Sequence, residues 1–128
     1  MKPGLAFLLG LAAISCAYCV PVMAQSAEQG RALYESRCGA CHSVDANRVG
    51  PAHQGVVGRK AGSAPGFEYS KALAGSQLVW TREKLLAWLA GPENVIPGQA
   101  MNYSLGDATE RDDVVAYLAT LTAKSARP

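Results

Sequence analysis

The chain has 128 residues, a formal net charge of +2 and a hydrophobic content of 49%, which together indicate one globular domain. Only 17% of the residues are charged, and acidic and basic residues nearly balance, which argues against the basic face of a nucleic-acid-binding protein. Thirteen glycines and seven prolines predict long loops around short helices.

Residues 1–24 differ from the rest and predict a secretory signal peptide. One early charge, Lys2, precedes an apolar stretch from Leu5 to Ile14, and small residues lead up to Ala24. We therefore expect cleavage after Ala24, export to the periplasm and one mature domain over residues 25–128. The alternative is an uncleaved segment that anchors the protein to the membrane facing the periplasm, because the apolar run approaches the roughly 20 residues that span a bilayer.

Two helices are predicted in the first two thirds of the mature chain. The first begins at Ser26, which forms a capping box with Gln29, and it stops near Arg37. Thr81 caps the second helix, TREKLLAWLA, which Gly91 and the proline after it bring to an end.

A third helix is predicted at the C-terminal end, where Thr109 is the expected cap. Its apolar residues recur at helical spacing: Val114, Tyr117, Leu118 and Leu121. Two long irregular stretches, roughly 43–80 and 91–108, separate the three helices. Loops of this length in a small domain usually carry function. A chain this short also buries little core of its own, so we expect a large flat cofactor to fill the centre.

The stretch RCGACHSVDANRVGP, residues 37–51, places Cys38, Cys41 and His42 close together. A structural zinc site is disfavoured, because Cys41 and His42 are adjacent and diverge, and His53 is the only other ligand of that kind. A thioredoxin-type dithiol needs a βαβ scaffold that the flanking sequence does not predict. A structural disulfide is not excluded locally, but neither thiol interpretation accounts for His42.

Covalent attachment of haem uses all three motif residues. In Cys-x-x-Cys-His the two thiols add across the haem vinyl groups and the histidine binds the iron. Removal of the leader would leave Cys38 and Cys41 as the only cysteines. A haem would also account for the long loops, which would enclose it.

His53 and Met101 are the candidates for the second axial ligand of the iron. His53 follows His42 after a short, turn-rich stretch that has little slack to cross to the opposite haem face. Met101 lies in a polar loop after a Pro-Gly turn, and it is the only methionine beyond the leader. We therefore assign Met101 to the iron. The alternative is a loop methionine that covers a gap in the core.

In this order, the motifs resemble the class I cytochrome c family, in particular its soluble mitochondrial and bacterial members. The resemblance covers nearly all of residues 26–121 and rests on the Cys-x-x-Cys-His motif, GPAHQGVVGRKAGSAPGFEYSKA, Trp80, IPGQAM and ERDDVVAYL. It implies an all-α cytochrome c fold, in which short helices surround one covalently bound haem c. The terminal helices would cross, with Gly30 and Tyr34 on one side and Val114 and Leu118 on the other.

The resemblance also implies further residues that contact or orient the haem: Pro51, Arg59, Tyr69, Trp80, Trp88 and Tyr103. The Pro51 carbonyl would accept a hydrogen bond from the free ring nitrogen of His42. Arg59, Tyr69 and Trp80 would hold a haem propionate, which needs charged and polar partners when it is buried. The remaining two aromatic residues would lie beside the methionine.

The chain departs from the family pattern at several positions. Gln54 stands where a histidine is usual, and His53 stands where a leucine packs, so we expect His53 to be a surface or partly buried residue that binds no metal. Trp88 replaces a tyrosine that bonds the methionine sulfur. Ala100 replaces a lysine that mitochondrial members use in docking, and the few remaining lysines make a strong lysine ring improbable.

The function that the resemblance implies is electron transport, with His/Met-ligated iron cycling between Fe(II) and Fe(III), and not enzymatic catalysis. The expected partners are redox proteins in a respiratory chain, including transient contact with a membrane-bound oxidase or reductase, with no nucleic acid and a monomeric protein. Two alternatives remain at this stage. A loosely held Met101 would suit a haem-based small-ligand sensor or a peroxidase-like enzyme, and a chain without haem would be a Cys-x-x-Cys thiol oxidoreductase.

Overall fold

The computed structural model of the chain describes residues 22–123, with residues 22–25 described by their backbone alone. Within that range the elements are α1 (Val22–Leu33), α2 (Lys71–Ala74), α3 (Arg82–Ala90), α4 (Pro92–Val95) and α5 (Ala108–Thr120), with a π-helical turn over Tyr34–Cys38 continuing α1. The β-type pairing in this range is one isolated antiparallel bridge between Lys60 and Val79. The predicted all-α class is confirmed, whereas most of the predicted leader lies outside the described residues.

None of the helices in residues 22–123 combines the length and the apolar character that crossing a bilayer requires.

The start of α1 differs from the prediction. The helix begins at Val22, so the predicted start and capping box at Ser26 are wrong for the full chain. The Ser26 hydroxyl instead donates to the Asp113 carboxylate at 2.6 Å, because Ser26 lies inside α1 and α5 packs alongside. At the other end, the π-helical turn carries the chain through Cys38, close to the predicted end near Arg37.

Helices α3 and α5 are both capped by side chains, but only one cap is the predicted one. Thr81 Oγ1 accepts from the Lys84 backbone N–H at 3.2 Å, as predicted for α3. The cap of α5 is Asp107, whose Oδ1 accepts from Glu110 N–H at 2.9 Å, so the prediction of Thr109 is wrong. A carboxylate at the positive end of the helix is the better cap, and it leaves Thr109 inside the first turn.

Helices α1 and α5 pack directly against each other, as the resemblance implied. Gly30 is buried, and a β-carbon built on it would overlap the backbone carbonyl of Asp113. Beside that contact, the rings of Tyr34 and Tyr117 lie 5.3 Å apart between centroids. The absence of a side chain at Gly30 therefore sets how closely the two helices approach.

The hydrophobic core continues from this crossing into α3 and the loops. Its buried members come from every part of the described chain: Tyr34, Val56, Ala61, Trp80, Leu85, Trp88, Leu89, Ile96, Leu105, Val114, Val115 and Leu118. The predicted apolar stripe of α3 is confirmed, since Leu85, Trp88 and Leu89 are all buried. Fully burying a side chain of this size stabilises the fold by about 1.5–3 kcal/mol.

We expect Gly30→Ala to lower the free energy of unfolding by about 1–3 kcal/mol, because the added methyl group overlaps the Asp113 carbonyl and forces the helices apart. Urea denaturation of the holoprotein followed by circular dichroism measures the change. The matched control is Gly106→Ala, since a β-carbon there meets open space. An equal effect of the two substitutions would contradict the role assigned to Gly30.

Candidate cofactor site

A cavity of about 340 Å³ lies between the helices and the long loops, within the size range of ligand pockets. Its walls include all the residues predicted from the sequence to bind or orient a cofactor: Cys38, Cys41, His42, Pro51, Arg59, Tyr69, Trp80, Trp88, Met101 and Tyr103. The fold thus brings together residues from both long loops, the π-helical turn and α3. What each residue binds remains a prediction.

The His42 ring is fixed in orientation by the residues that follow it. Its Nδ1 lies 2.9 Å from the carbonyl oxygen of Pro51, which can only accept, so Nδ1 carries the proton. This leaves the lone pair of Nε2 free to bind a metal. Burial lowers the pKa of His42, which favours the neutral ring that ligation requires.

Cys38 and Cys41 both line the cavity as free thiols. Burial raises the pKa of the Cys38 thiol to about 11. A thioredoxin-type redox centre needs the opposite shift, toward a stable thiolate. The raised pKa of Cys38 therefore does not suit thiol–disulfide exchange of the thioredoxin type.

Two residues that support the His42 loop were not found by sequence reasoning. The Arg48 guanidinium donates to the carbonyl oxygens of Gly39 at 2.5 Å, and of Ala40 and His42 at 3.4 Å. Gly50 is buried against the His42 ring, and any β-carbon at this position would collide with it. The only sequence feature that pointed to this contact was the position of Gly50 directly before Pro51.

Met101 reaches the same cavity from the second long loop. Its sulfur accepts a hydrogen bond from the Trp88 indole N–H, with Nε1 and Sδ 3.1 Å apart. The sequence left open whether this tryptophan, in the place of the usual tyrosine, reaches the sulfur. A thioether sulfur has a further lone pair, so the bond to Trp88 leaves Met101 able to bind a metal.

His53 lies beside His42 and not across the cavity from it. The two imidazole rings stack with centroids 4.2 Å apart, and Tyr34 Oη lies 2.9 Å from His53 Nδ1. Burial, followed by the proximity of His42, lowers the pKa of His53 to about 3, so the ring is neutral. This position on the His42 side agrees with the prediction that His53 does not supply the second axial ligand.

Arg59 shows what kind of group the cavity is built to hold. Its terminal nitrogens donate to the carbonyl oxygens of Gln54 at 3.1 Å and Ala52 at 2.9 Å, while its Nε is buried without a hydrogen-bond partner in the described part of the chain. Nearby, the Tyr69 hydroxyl accepts from Ala64 N–H at 3.1 Å and keeps its own proton to donate. An unpaired buried donor of this kind is rare in proteins and predicts an acidic partner.

The residues present fit a covalent haem. The apolar wall suits a flat ring, the free thiols suit thioether bonds, and the unpaired Arg59 Nε suits a propionate carboxylate. In residues 22–123, no group of three or more His, Cys, Asp and Glu side chains could hold a metal ion without such a ring. The assignment of His42 and Met101 to a haem iron stays a prediction.

Comparisons with known proteins agree with this chemistry. The family model described as Cytochrome c matches residues 27–122. Cytochrome c type-1 of Ascaris suum is 43% identical over 94 residues, which are 71% of this chain and 84% of that protein. A cytochrome c2 of Rhodopseudomonas palustris is 42% identical over 114 residues, covering 76% of this chain and 99% of the relative.

The fold is shared with solved structures of the same kind. Cytochrome cH from Methylobacterium extorquens superposes with a TM-score of 0.70 and is 42% identical, covering 73% of this chain and 97% of the other. The cytochrome c fold expected from the sequence is therefore confirmed, as are the covalent haem and the assignment as an electron carrier and not an enzyme. The chain belongs to the cytochrome c family and is an electron-transfer protein with one covalently bound haem c.

Proposed function

We propose that this protein carries electrons between redox enzymes of the periplasm, with its haem attached through Cys38 and Cys41 and its iron bound by His42 and Met101. One observation carries the ligand assignment. His42 and Met101 belong to different loops, yet both line the same cavity, and each is held there by a hydrogen bond that leaves a lone pair for the metal.

His42 and Met101 would both bind the haem iron, which would leave no open position for a substrate. The haem would supply one-electron chemistry between Fe(II) and Fe(III). The Pro51 carbonyl fixes His42 and makes its ring a better donor. The Trp88 N–H draws electron density from the Met101 sulfur, which favours the reduced form and raises the reduction potential.

Other residues govern the environment of the ring. Arg59 has a buried N–H that is ready for a propionate, and Tyr69 has a hydroxyl proton to add. Trp80 and Trp88 pack edge to face, with centroids 5.1 Å apart, and close the apolar side of the cavity against water. Exclusion of water and neutralisation of one propionate both tune the potential of a buried haem.

Docking of partners is expected at the mouth of the cavity. Val49 and Tyr103 line the cavity and are also exposed, so they offer apolar contact where electrons would enter or leave. The nearly balanced charge of the chain provides no strong steering. We propose brief contacts of small area with a membrane-bound oxidase or reductase of a respiratory chain, made by a monomer.

Replacing Met101 tests the ligand assignment. We expect Met101→Ala to abolish the weak far-red absorption of ferric haem with methionine ligation. The variant should also lower the midpoint potential by on the order of 0.1 V or more, within the roughly 0.8 V that axial ligands command. Optical redox titration measures both effects.

The matched control for that experiment is Ser104→Ala, an exposed position in the same loop, which should leave the band and potential unchanged. Retention of the far-red band in Met101→Ala would show that another residue binds the iron. Rapid binding of carbon monoxide by the ferrous wild-type protein would instead support a sensor or peroxidase-like enzyme.

Replacing the cysteines tests the attachment. Expressed in a host that matures c-type cytochromes, the wild-type protein should keep its red colour through acid–acetone extraction. Cys38→Ala/Cys41→Ala should release all its haem, because no thioether bond remains. A colourless wild-type product with two titratable thiols would support the thiol oxidoreductase instead.

The location is tested by the mass of the mature protein. Cleavage after Ala24 predicts that intact-mass spectrometry of the periplasmic fraction finds residues 25–128 plus one haem. The matched variant Ala24→Leu should block processing, because a signal peptidase requires a small residue at that place. Recovery of the full-length wild-type chain in the membrane fraction would favour the anchored form.

A further inference from the structure

The loop that carries Met101 is held by one glutamine side chain. Gln99 Oε1 accepts from the backbone N–H of Met101 at 2.7 Å and from that of Asn102 at 3.1 Å. Gln99 Nε2 donates to Asn102 Oδ1 at 3.1 Å and to Glu93 Oε2 at 3.2 Å. The Gln99 carboxamide thus links Met101, which would bind the iron, to Asn102 and to helix α4.

Glu93 connects this glutamine to the rigid part of the fold. Its second oxygen, Oε1, accepts from Gly98 N–H at 2.9 Å, so the carboxylate holds the loop at two points. Helix α4, on which Glu93 lies, begins at the buried Pro92 and is followed by the buried Ile96. The carboxylate therefore extends from a helix that is anchored in the core.

The backbone of the loop needs such support. Asn102 has a φ of 48°, a left-handed conformation that is uncommon outside glycine, although asparagine adopts it more readily than most residues. The Gln99 carboxamide pairs with both the backbone N–H and the side-chain oxygen of Asn102. It thereby stabilises the conformation of the chain immediately after Met101.

We propose that Gln99, braced by Glu93, is a positioning residue that keeps Met101 in the cavity and so limits access of other ligands to the iron. This inference rests on the proposed ligation of the iron by Met101. Trp88 holds the sulfur, whereas Gln99 holds the backbone of the same residue. Loss of the backbone bond raises the fraction of molecules in which the loop is open, and an external ligand binds only that fraction.

The test uses ferric holoprotein titrated with imidazole, a neutral ligand that competes with methionine. We expect Gln99→Ala to bind imidazole about tenfold more tightly than wild type, because hydrogen bonds that close the loop are lost. Loss of the far-red band reports binding. Glu93→Gln keeps the size of the side chain and one acceptor oxygen. It should therefore raise the affinity for imidazole less, by about two- to fivefold.

The control is Gln77→Ala, an exposed glutamine outside the loop, which should leave imidazole affinity at the wild-type value. Urea denaturation of each variant separates loop opening from general destabilisation. A Gln99→Ala protein with wild-type affinity for imidazole would overturn the proposal, whether or not its urea midpoint falls. If Gln99→Ala does not fold, a wild-type affinity in Glu93→Gln overturns it instead.

The double variant tests whether the two residues act as one unit. Glu93→Gln/Gln99→Ala should gain less affinity for imidazole than the two single variants predict together, because each alone weakens the same link. Full additivity would show that Glu93 does not act through Gln99.

Failure of the ligand assignment can be recognised separately. If Met101→Ala keeps the far-red band, the proposed ligation is wrong, and the loop is then judged by hydrogen exchange of the Met101 amide. Faster exchange of this amide in Gln99→Ala than in Gln77→Ala would still support the proposal that Gln99 holds the loop in place. Equal exchange would reject it.

Discussion

The close contact between Gly30 and the backbone of Asp113 is the constraint on which the rest of the structure depends. It lets α1 lie directly on α5, and the π-helical turn that follows then delivers Cys38 and His42 to the edge of the cavity. Tyr34, packed on Tyr117 at the same crossing, forms part of the wall behind His42. Because α1 continues directly into the turn that carries Cys38, a change in how α1 packs on α5 would also displace the cofactor site.

The two proposed ligands of the iron are both held by contacts with neighbouring residues, but the contacts differ. The His42 ring makes three contacts. It hydrogen-bonds to the Pro51 carbonyl, packs against the α-carbon of Gly50 and stacks on the ring of His53. Met101 is held at the sulfur by Trp88 and at the backbone by Gln99. Both side chains are therefore held in place by hydrogen bonds from the protein itself.

Two departures from the family pattern, His53 and Trp88, are accommodated by contacts within the fold. His53 introduces a polar ring at a packing position, but Tyr34 satisfies one of its nitrogens and burial keeps it neutral, so it packs against His42 without adding charge. Trp88 is larger than the tyrosine it replaces, yet its indole still supplies an N–H to the methionine sulfur. His53 therefore contacts one proposed ligand of the iron, and Trp88 contacts the other.

The sequence by itself determined the chemistry, since the attachment motif, the single methionine beyond residue 24 and the stripe of α3 are local patterns with direct physical meaning. It also indicated Pro51 and Arg59 through resemblance. Its predicted caps at Ser26 and Thr109 were wrong, because α1 begins before Ser26 and the Asp107 carboxylate caps α5 ahead of Thr109. Only the tertiary structure showed that His53 stacks on His42 and that the Nε of Arg59 is buried without a hydrogen-bond partner in the described part of the chain. It also showed the hydrogen bonds that join Gln99 to Met101 and to Glu93. Those relations depend on loop conformations, which arise from contacts between distant segments and leave no periodic signal in the chain.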